Sequence, residues 1–297
     1  FYNEKAAVAA CLPLLAVTAG LFLTLKYVMK DRSFVTLGTS YRTPPDFRLG
    51  KWKAPALLFA SAVVYFSVAF PVYELLKGSG GWETFSRVIR SPSMTALFNT
   101  AALSAVTATV VLPLCFLSAV ALEQSRNTRS GLLWYMAAVL PFAVPGTLAG
   151  IGMIGLWNRP GLGLFYGTSV VLLAAYAGRF VPFGVQAAGA AVRGIHPGML
   201  EYARLVEPSF FRRMIRVDVP LAGPGLPAAW MVVFVLCLGE LASTILLVPP
   251  GMQTLSVRIY SLIHYGESTQ VDALCIMLLC TAFLPLLAVL PLMKRRY

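Results

Sequence analysis

Seven long apolar runs divide the chain, near 6–28, 54–76, 95–122, 132–157, 164–188, 225–248 and 271–293, with polar segments between them. A helix rising about 1.5 Å per residue needs roughly 20 residues to cross a 30 Å hydrocarbon core, so each run is long enough to span a bilayer. Gly and Pro interrupt the runs at 132–157 and 164–188, and Pro141 and Pro145 are expected to bend or break the first. Non-helical backbone at such depth is tolerated only inside protein or beside a water-filled cavity. Gly146, Gly150, Gly152 and Gly155 let helices approach closely, which serves either simple packing or a translocation pathway. Trp82 to Ile89 reads as a short interfacial helix ahead of the third span. The polar stretch 31–53, with Thr43-Pro44-Pro45-Asp46 as a turn, reads as a linker. The pattern predicts an all-α polytopic membrane helix bundle.

Composition agrees with that class. Of 297 residues, 58% are hydrophobic and 12% charged, where a soluble domain carries about 25% charged residues. The net charge of +12 orients the helices and calls for no nucleic acid. Segments 26–53, 123–131, 193–224 and 294–297 hold 7, 2, 5 and 3 Lys and Arg, against 1, 3, 1 and 1 on the opposite segments. This positive-inside bias places segment 193–224 and the tail in the cytoplasm. Seven spans with a cytoplasmic C-terminus put Phe1 outside. We therefore expect 1–30 to hold the last helix of an upstream unit and 54–297 to be a six-helix domain. The five Cys lie in apolar runs without CxxC or His at ligand spacing, as small hydrophobes do.

The segment Glu201 to Gly225 is polar and Arg-rich between two spans, longer than a connector needs to be. Met199, Leu200, Ala203 and Val206 give a helix a sticky face, and Glu207-Pro208 ends it, because a residue before Pro is pushed out of the α region. Ser209 is a candidate N-cap for a second helix with Phe210, Phe211, Met214 and Ile215 apolar and Arg212, Arg213 and Arg216 polar. Pro220 and Pro224 are expected to stop that helix. The product is a helix–turn–helix across the cytoplasmic face, suited to docking.

Glu201-Tyr202-Ala203, Glu207 six residues after Glu201, then Val219-Pro220-Leu221 and Pro224-Gly225 resemble the EAA loop of binding-protein-dependent ABC importer permeases. The family pattern is departed from at two places: Tyr202 stands for Ala, and Glu207-Pro208 for the Gly that makes the turn. Gly239-Glu240-Leu241-Ala242-Ser243-Thr244, Pro249-Pro250-Gly251, Thr254 to Tyr260 and His264-Tyr265-Gly266 resemble the ferric-iron-type permeases. The resemblance covers about 54–297. It implies the MetI-like ABC permease fold, with about six core helices plus one preceding helix. It also implies a multi-pass protein of the bacterial inner membrane that imports a small solute, ferric iron first among them, by alternating access. No cofactor is expected on this chain, and ATP belongs to a partner. The implied partners are a cytosolic ABC ATPase dimer, a periplasmic or surface solute-binding protein, a second permease unit (an upstream half of the same chain or a homodimer mate) and membrane lipid.

The resemblance assigns ATPase coupling to Glu201, Tyr202, Ala203, Arg204, Glu207, Pro208, Arg212, Arg213 and Pro220, with Arg204, Arg212 and Arg213 reaching acidic residues on the partner. Glu240, a carboxylate inside a span, either lines the translocation path or anchors helices. Arg179 is either its partner or a snorkelling residue. His196 and His264 have no ligand-spaced companion, so no metal site is expected. The chain also lacks a phosphate-binding GxxxxGK[ST] loop, HExxH and GxSxG, so no catalytic residues are expected. Within the superfamily the rival reading is another small solute, such as thiamine, a polyamine or a phosphonate. Outside it, the rival readings are an ion-driven secondary transporter and, last, a membrane enzyme.

Overall fold

The computed structural model describes residues 49–125, 129–223, 225–266 and 268–294, with scattered helical positions between 9 and 27. Most of the expected first span, the linker up to residue 48 and the final Arg295-Arg296-Tyr297 lie outside the described residues. Among those described, the chain is helical with no strand. Four helices are long and apolar enough to cross a membrane, or five if one bent pair counts as a single span. This is a multi-pass membrane protein.

The first, α1 (Gly50–Gly78), and the last, α12 (Ser268–Lys294), pack on each other at the periphery. Helix α2 (Trp82–Ile89) is the predicted interfacial helix, with Thr84 and Val88 buried beneath it. The core is built from α3 (Pro92–Gln124), α6 (Ser169–Arg193) and α9 (Gly225–Leu238). Starts are set locally: Ser91 Oγ accepts from Ser93 N ahead of Pro92, and Thr168 Oγ1 accepts from Val170 N. Leu172, Ala175, Tyr176, Val233 and Cys237 fill the upper half of the core, and Cys115, Ala119, Ala188 and Ala229 fill the lower. Cys115 and Cys237 are buried as expected, whereas Cys280 is exposed on α12.

Two expected spans are broken. Run 132–157 is α4 (Arg129–Ala143) and α5 (Gly146–Trp157), parted at Val144-Pro145, while Pro141 stays inside α4. Run 225–248 corrects the sequence expectation more sharply. α9 stops at Leu238, residues 239–243 turn, and α10 is the short helix Thr244–Leu247. The polar segment 249–270 also holds a helix, α11 (Leu255–Tyr265), capped by Thr254 Oγ1. Side chains of α3 fasten this outer strap: Thr100 Oγ1 accepts from Leu255 N at 2.7 Å and Asn99 Nδ2 donates to Gln253 O at 3.0 Å.

Two π-helical stretches, 65–69 and 214–218, each stand directly before an X-Pro pair, Phe70-Pro71 and Val219-Pro220. Proline cannot donate to the carbonyl four residues back, and its ring crowds that oxygen. An extra residue in the turn moves the oxygen aside without ending the helix. Hence Pro220 lies inside a continuous helix, α8 (Phe210–Ala222), instead of terminating it. Pro224 is outside the described residues.

Candidate functional site

The residues singled out from the sequence fall in two places. The first is the segment between α6 and α9. Arg193 Nη1, at the end of α6, donates to Glu123 Oε1 near the end of α3 at 2.6 Å, tying the two helix ends together. The chain then turns into α7 (Pro197–Val206), which ends ahead of Glu207-Pro208 as expected. His196 caps it, its Nδ1 accepting from Gly198 N at 3.2 Å. Glu207 is extended at φ −128° and ψ 91°, as a residue before Pro must be. No non-glycine residue among those described has positive φ, so the turn into α8 needs no left-handed residue.

This hairpin presents two unlike faces. Ile195, Ala203 and Met214 are buried against the lower core, with Leu200 and Val219 packed beside them. Tyr202, Leu205 (82% exposed), Val206, Phe211 (75%) and Ile215 lie open, and Glu201 shares that exposed surface. Two of its arginines are answered within the hairpin. Arg212 Nε sits 3.7 Å from Glu207 Oε1. Arg213, expected to reach outward, is only 11% exposed. It turns to Asp218 Oδ2 at 3.5 Å and lies over the Phe210 ring. Asp218 is itself buried, and no hydrogen bond to its Oδ1 is present among the described residues. The side chain of Arg204 lies outside the described residues.

The second place is where the two broken spans meet. Glu240 is 6% exposed and occupies the turn after α9. Its Oε1 accepts from Ser243 N at 2.9 Å and Ser243 Oγ at 3.0 Å, closing the turn that α9 leaves open. Thr244 Oγ1 donates to Glu240 O, Tyr176 of α6 shares a 2.7 Å hydrogen bond with Thr244 Oγ1, and Ser256 Oγ donates to Leu238 O. Backbone groups of the turn and of the end of α9 are thereby satisfied by side chains of the turn itself, of α10 and of α11, with Tyr176 of α6 holding Thr244 in place.

The other carboxylate oxygen, Oε2, lies 3.2 Å from Arg179 Nε on α6. Arg179 is therefore the partner of Glu240 and not a snorkelling residue. The pair lacks the alignment of a hydrogen bond, and Nη1 is buried without an acceptor among the described residues. Phe142 and Phe180 each stand 5.9 Å from the guanidinium carbon. A methyl on Gly146, at the start of α5, would fall 2.0 Å from Nη1 and 2.8 Å from Ala242 Cβ. One on Gly150 would meet Leu246 and Ser243. Gly146 and Gly150 thus seat the turn of one broken span against the half-helix of the other, whereas Gly152 and Gly155 face open space and make no such approach. Among the described residues no three His, Cys, Asp or Glu side chains gather as a metal site.

Solved structures with a similar fold exist. The fold matches a chain of a bacterial ABC transporter involved in import of the acidic polysaccharide alginate. The TM-score is 0.62 at 18% identity, over 82% of this chain and 97% of that one. It also matches a chain of the MetNI methionine ABC transporter, with TM-score 0.58 at 18% identity, over 69% of this chain and 98% of that one.

The fold is that of the MetI-like ABC permeases.

Sequence relatives agree. The spermidine/putrescine transport system permease protein PotC of Escherichia coli K12 is 27% identical over 172 residues, 58% of this chain and 64% of that protein. The permease protein PhnV of Salmonella paratyphi A, named for 2-aminoethylphosphonate transport, is 28% identical over 160 residues, 54% of this chain and 60% of that protein. The match thus spans just under two thirds of these relatives' own length. No protein-family model matches the chain. Neither printed name mentions iron, so the expected ferric-iron likeness has no counterpart in these two relatives.

Proposed function

We propose that this chain is the membrane permease subunit of an ATP-binding-cassette importer in the bacterial inner membrane. A separate cytosolic ATPase docks on the hairpin α7–α8, and closure of that ATPase rocks the bundle between inward- and outward-open states. The carrying observation is the hairpin's exposed apolar face, Tyr202, Leu205, Val206, Phe211 and Ile215, held out by a buried inner face. A loop that merely reconnected two spans would gain nothing by leaving such side chains in water. Glu201 and Tyr202 face the partner with this patch, and Ala203 sets the depth at which α7 rests on the bundle. Glu207 and Pro208 make the turn, and Arg212 stays free enough to reach acidic groups. A solute-binding protein on the outer side and a second permease unit complete the assembly.

The solute is a small organic amine in this reading. It is supported by the names of the relatives, spermidine/putrescine and 2-aminoethylphosphonate, and replaces ferric iron as the first expectation. The test is co-purification with the cytosolic ATPase encoded beside this chain, with and without Glu201→Lys and Leu205→Asp, followed by uptake of labelled spermidine, 2-aminoethylphosphonate and ferric iron. Retained ATPase association and retained uptake in both variants would sink the docking role. ATP-dependent uptake of iron alone would overturn the amine.

A further inference from the structure

The Arg179–Glu240 pair joins three elements that an importer must move relative to each other: the α4/α5 break, the α9/α10 break and the unbroken α6 between them. Its geometry is not that of a settled structural anchor. A buried guanidinium is stable when its donors are aligned on acceptors. Here Nε is close to Glu240 but poorly aligned, and Nη1 has no acceptor among the described residues. Nη1 also rests against Gly146, at the amino-terminal end of α5, where the helix dipole disfavours a cation. On its other side, Phe142 belongs to the last turn of α4, whose final carbonyls have no partner within that helix and favour one. Arg179 thus stands between Glu240, with which it is poorly aligned, and the last turn of α4, where the Phe142 ring approaches it.

We propose that Arg179 and Glu240 are positioning residues that form a latch between the two broken spans. In the state described here the guanidinium holds the 239–243 turn against α6 and α5. When the bundle changes state it leaves Glu240 for the carboxyl-terminal carbonyls of α4, and the turn is released. Glu240 keeps Ser243 N and Oγ in both states, so the turn moves as a formed unit. The inference rests on the permease reading for its purpose, though not for its test.

A methyl built on Gly150 of α5 lies 3.4 Å from Leu246 Cβ of α10, close to the roughly 3.5–4.5 Å that a disulfide needs between Cβ atoms. The Leu246 Cδ1 that would crowd a new side chain disappears when Leu246 is itself replaced. The full chain carrying Gly150→Cys and Leu246→Cys, in membranes and with its native cysteines replaced, is oxidised, and the rate of linkage is followed by mass spectrometry. Linkage is expected to be fast with the latch intact and about tenfold slower with Glu240→Gln or Arg179→Gln added. Arg179→Lys, which keeps the charge, restores most of the rate. Equal rates in all four chains overturn the latch.

A second measurement uses the complex with its ATPase and binding protein in liposomes, with spermidine as the probe. The oxidised link is expected to stop uptake until it is reduced, and Glu240→Gln is expected to raise ATP hydrolysis without the binding protein while lowering uptake. Uptake that ignores the link, or a parallel loss of hydrolysis and uptake as from simple misfolding, overturns the proposal. A parent chain that assembles with no ATPase overturns the permease reading, while the linkage rates still decide the latch.

Discussion

The hairpin α7–α8 and the crossing of the two broken spans treat polar and apolar groups in opposite ways. The hairpin leaves large apolar side chains uncovered by the rest of the chain and pairs two of its arginines locally, Arg212 with Glu207 and Arg213 with Asp218. The crossing buries a carboxylate and part of a guanidinium beside aromatic rings, closes its turn through Ser243 and ties that turn to distant elements through Tyr176 and Ser256. In the proposed assembly a surface of the first kind is completed from outside the chain. A cluster of the second kind is complete, or nearly so, within it. Substitutions should therefore separate cleanly: those in the hairpin should change association and spare stability, and those at the crossing should do the reverse.

The largest effect is expected from Glu240→Ala, which strands Arg179. Removing one partner of a fully buried pair costs about 3–5 kcal/mol, and the 20% exposure of Arg179 places this case toward the lower end. Thermal unfolding in detergent reads the loss, and ATPase association should persist. If stability is unchanged and association falls, the contrast between the regions is broken. Next comes Leu205→Asp. Truncating a central apolar contact in an interface costs about 2 kcal/mol, or roughly 30-fold in affinity. The unfolding temperature of the permease should hold, since Leu205 touches so little of its own fold.

Gly146→Ala sharpens the crossing alone. Overpacking of this kind typically costs about 1–3 kcal/mol, and the guanidinium must leave Glu240 to make room. Unfolding temperature should fall, by less than in Glu240→Ala. The smallest effect is expected from Glu207→Gly, which restores the glycine of the EAA pattern. Glu207 is extended, so glycine's conformational freedom is not needed there. The exposed Arg212 contact that is lost is worth under about 1 kcal/mol. ATPase binding by titration should shift by no more than a few-fold, and a large gain in coupling would show that the turn does depend on a glycine.

What the sequence disclosed follows from the range of each signal. Pro145 announced one break because proline acts on its own turn, and Glu207-Pro208 announced the hairpin's corner for the same reason. The break at 239–243 left no such mark. Gly239, Leu241 and Ala242 continue the apolar run, and the turn is held by Ser243, Tyr176 and Ser256, whose approach only the folded chain reveals. Arg179 and Glu240 could be noted as charges in spans, but their meeting across α6 and α9 is tertiary. Helix α11 was legible and missed: Leu255, Ile259 and Leu262 recur at helical spacing, and the first is fully buried. Pro220 was misread because a proline's local preference was taken as decisive where a widened turn absorbs it.

That widened turn at 214–218 has a geometric consequence. Each residue of an α-helix advances the side-chain azimuth by about 100°, and a π turn accommodates one residue more than regular winding would. The exposed apolar face of α7–α8 and the bundle beyond Pro220 are therefore set in phase by a single residue. Deleting one position between 214 and 218 would leave the composition of the face intact and rotate it away from its present bearing on the bundle.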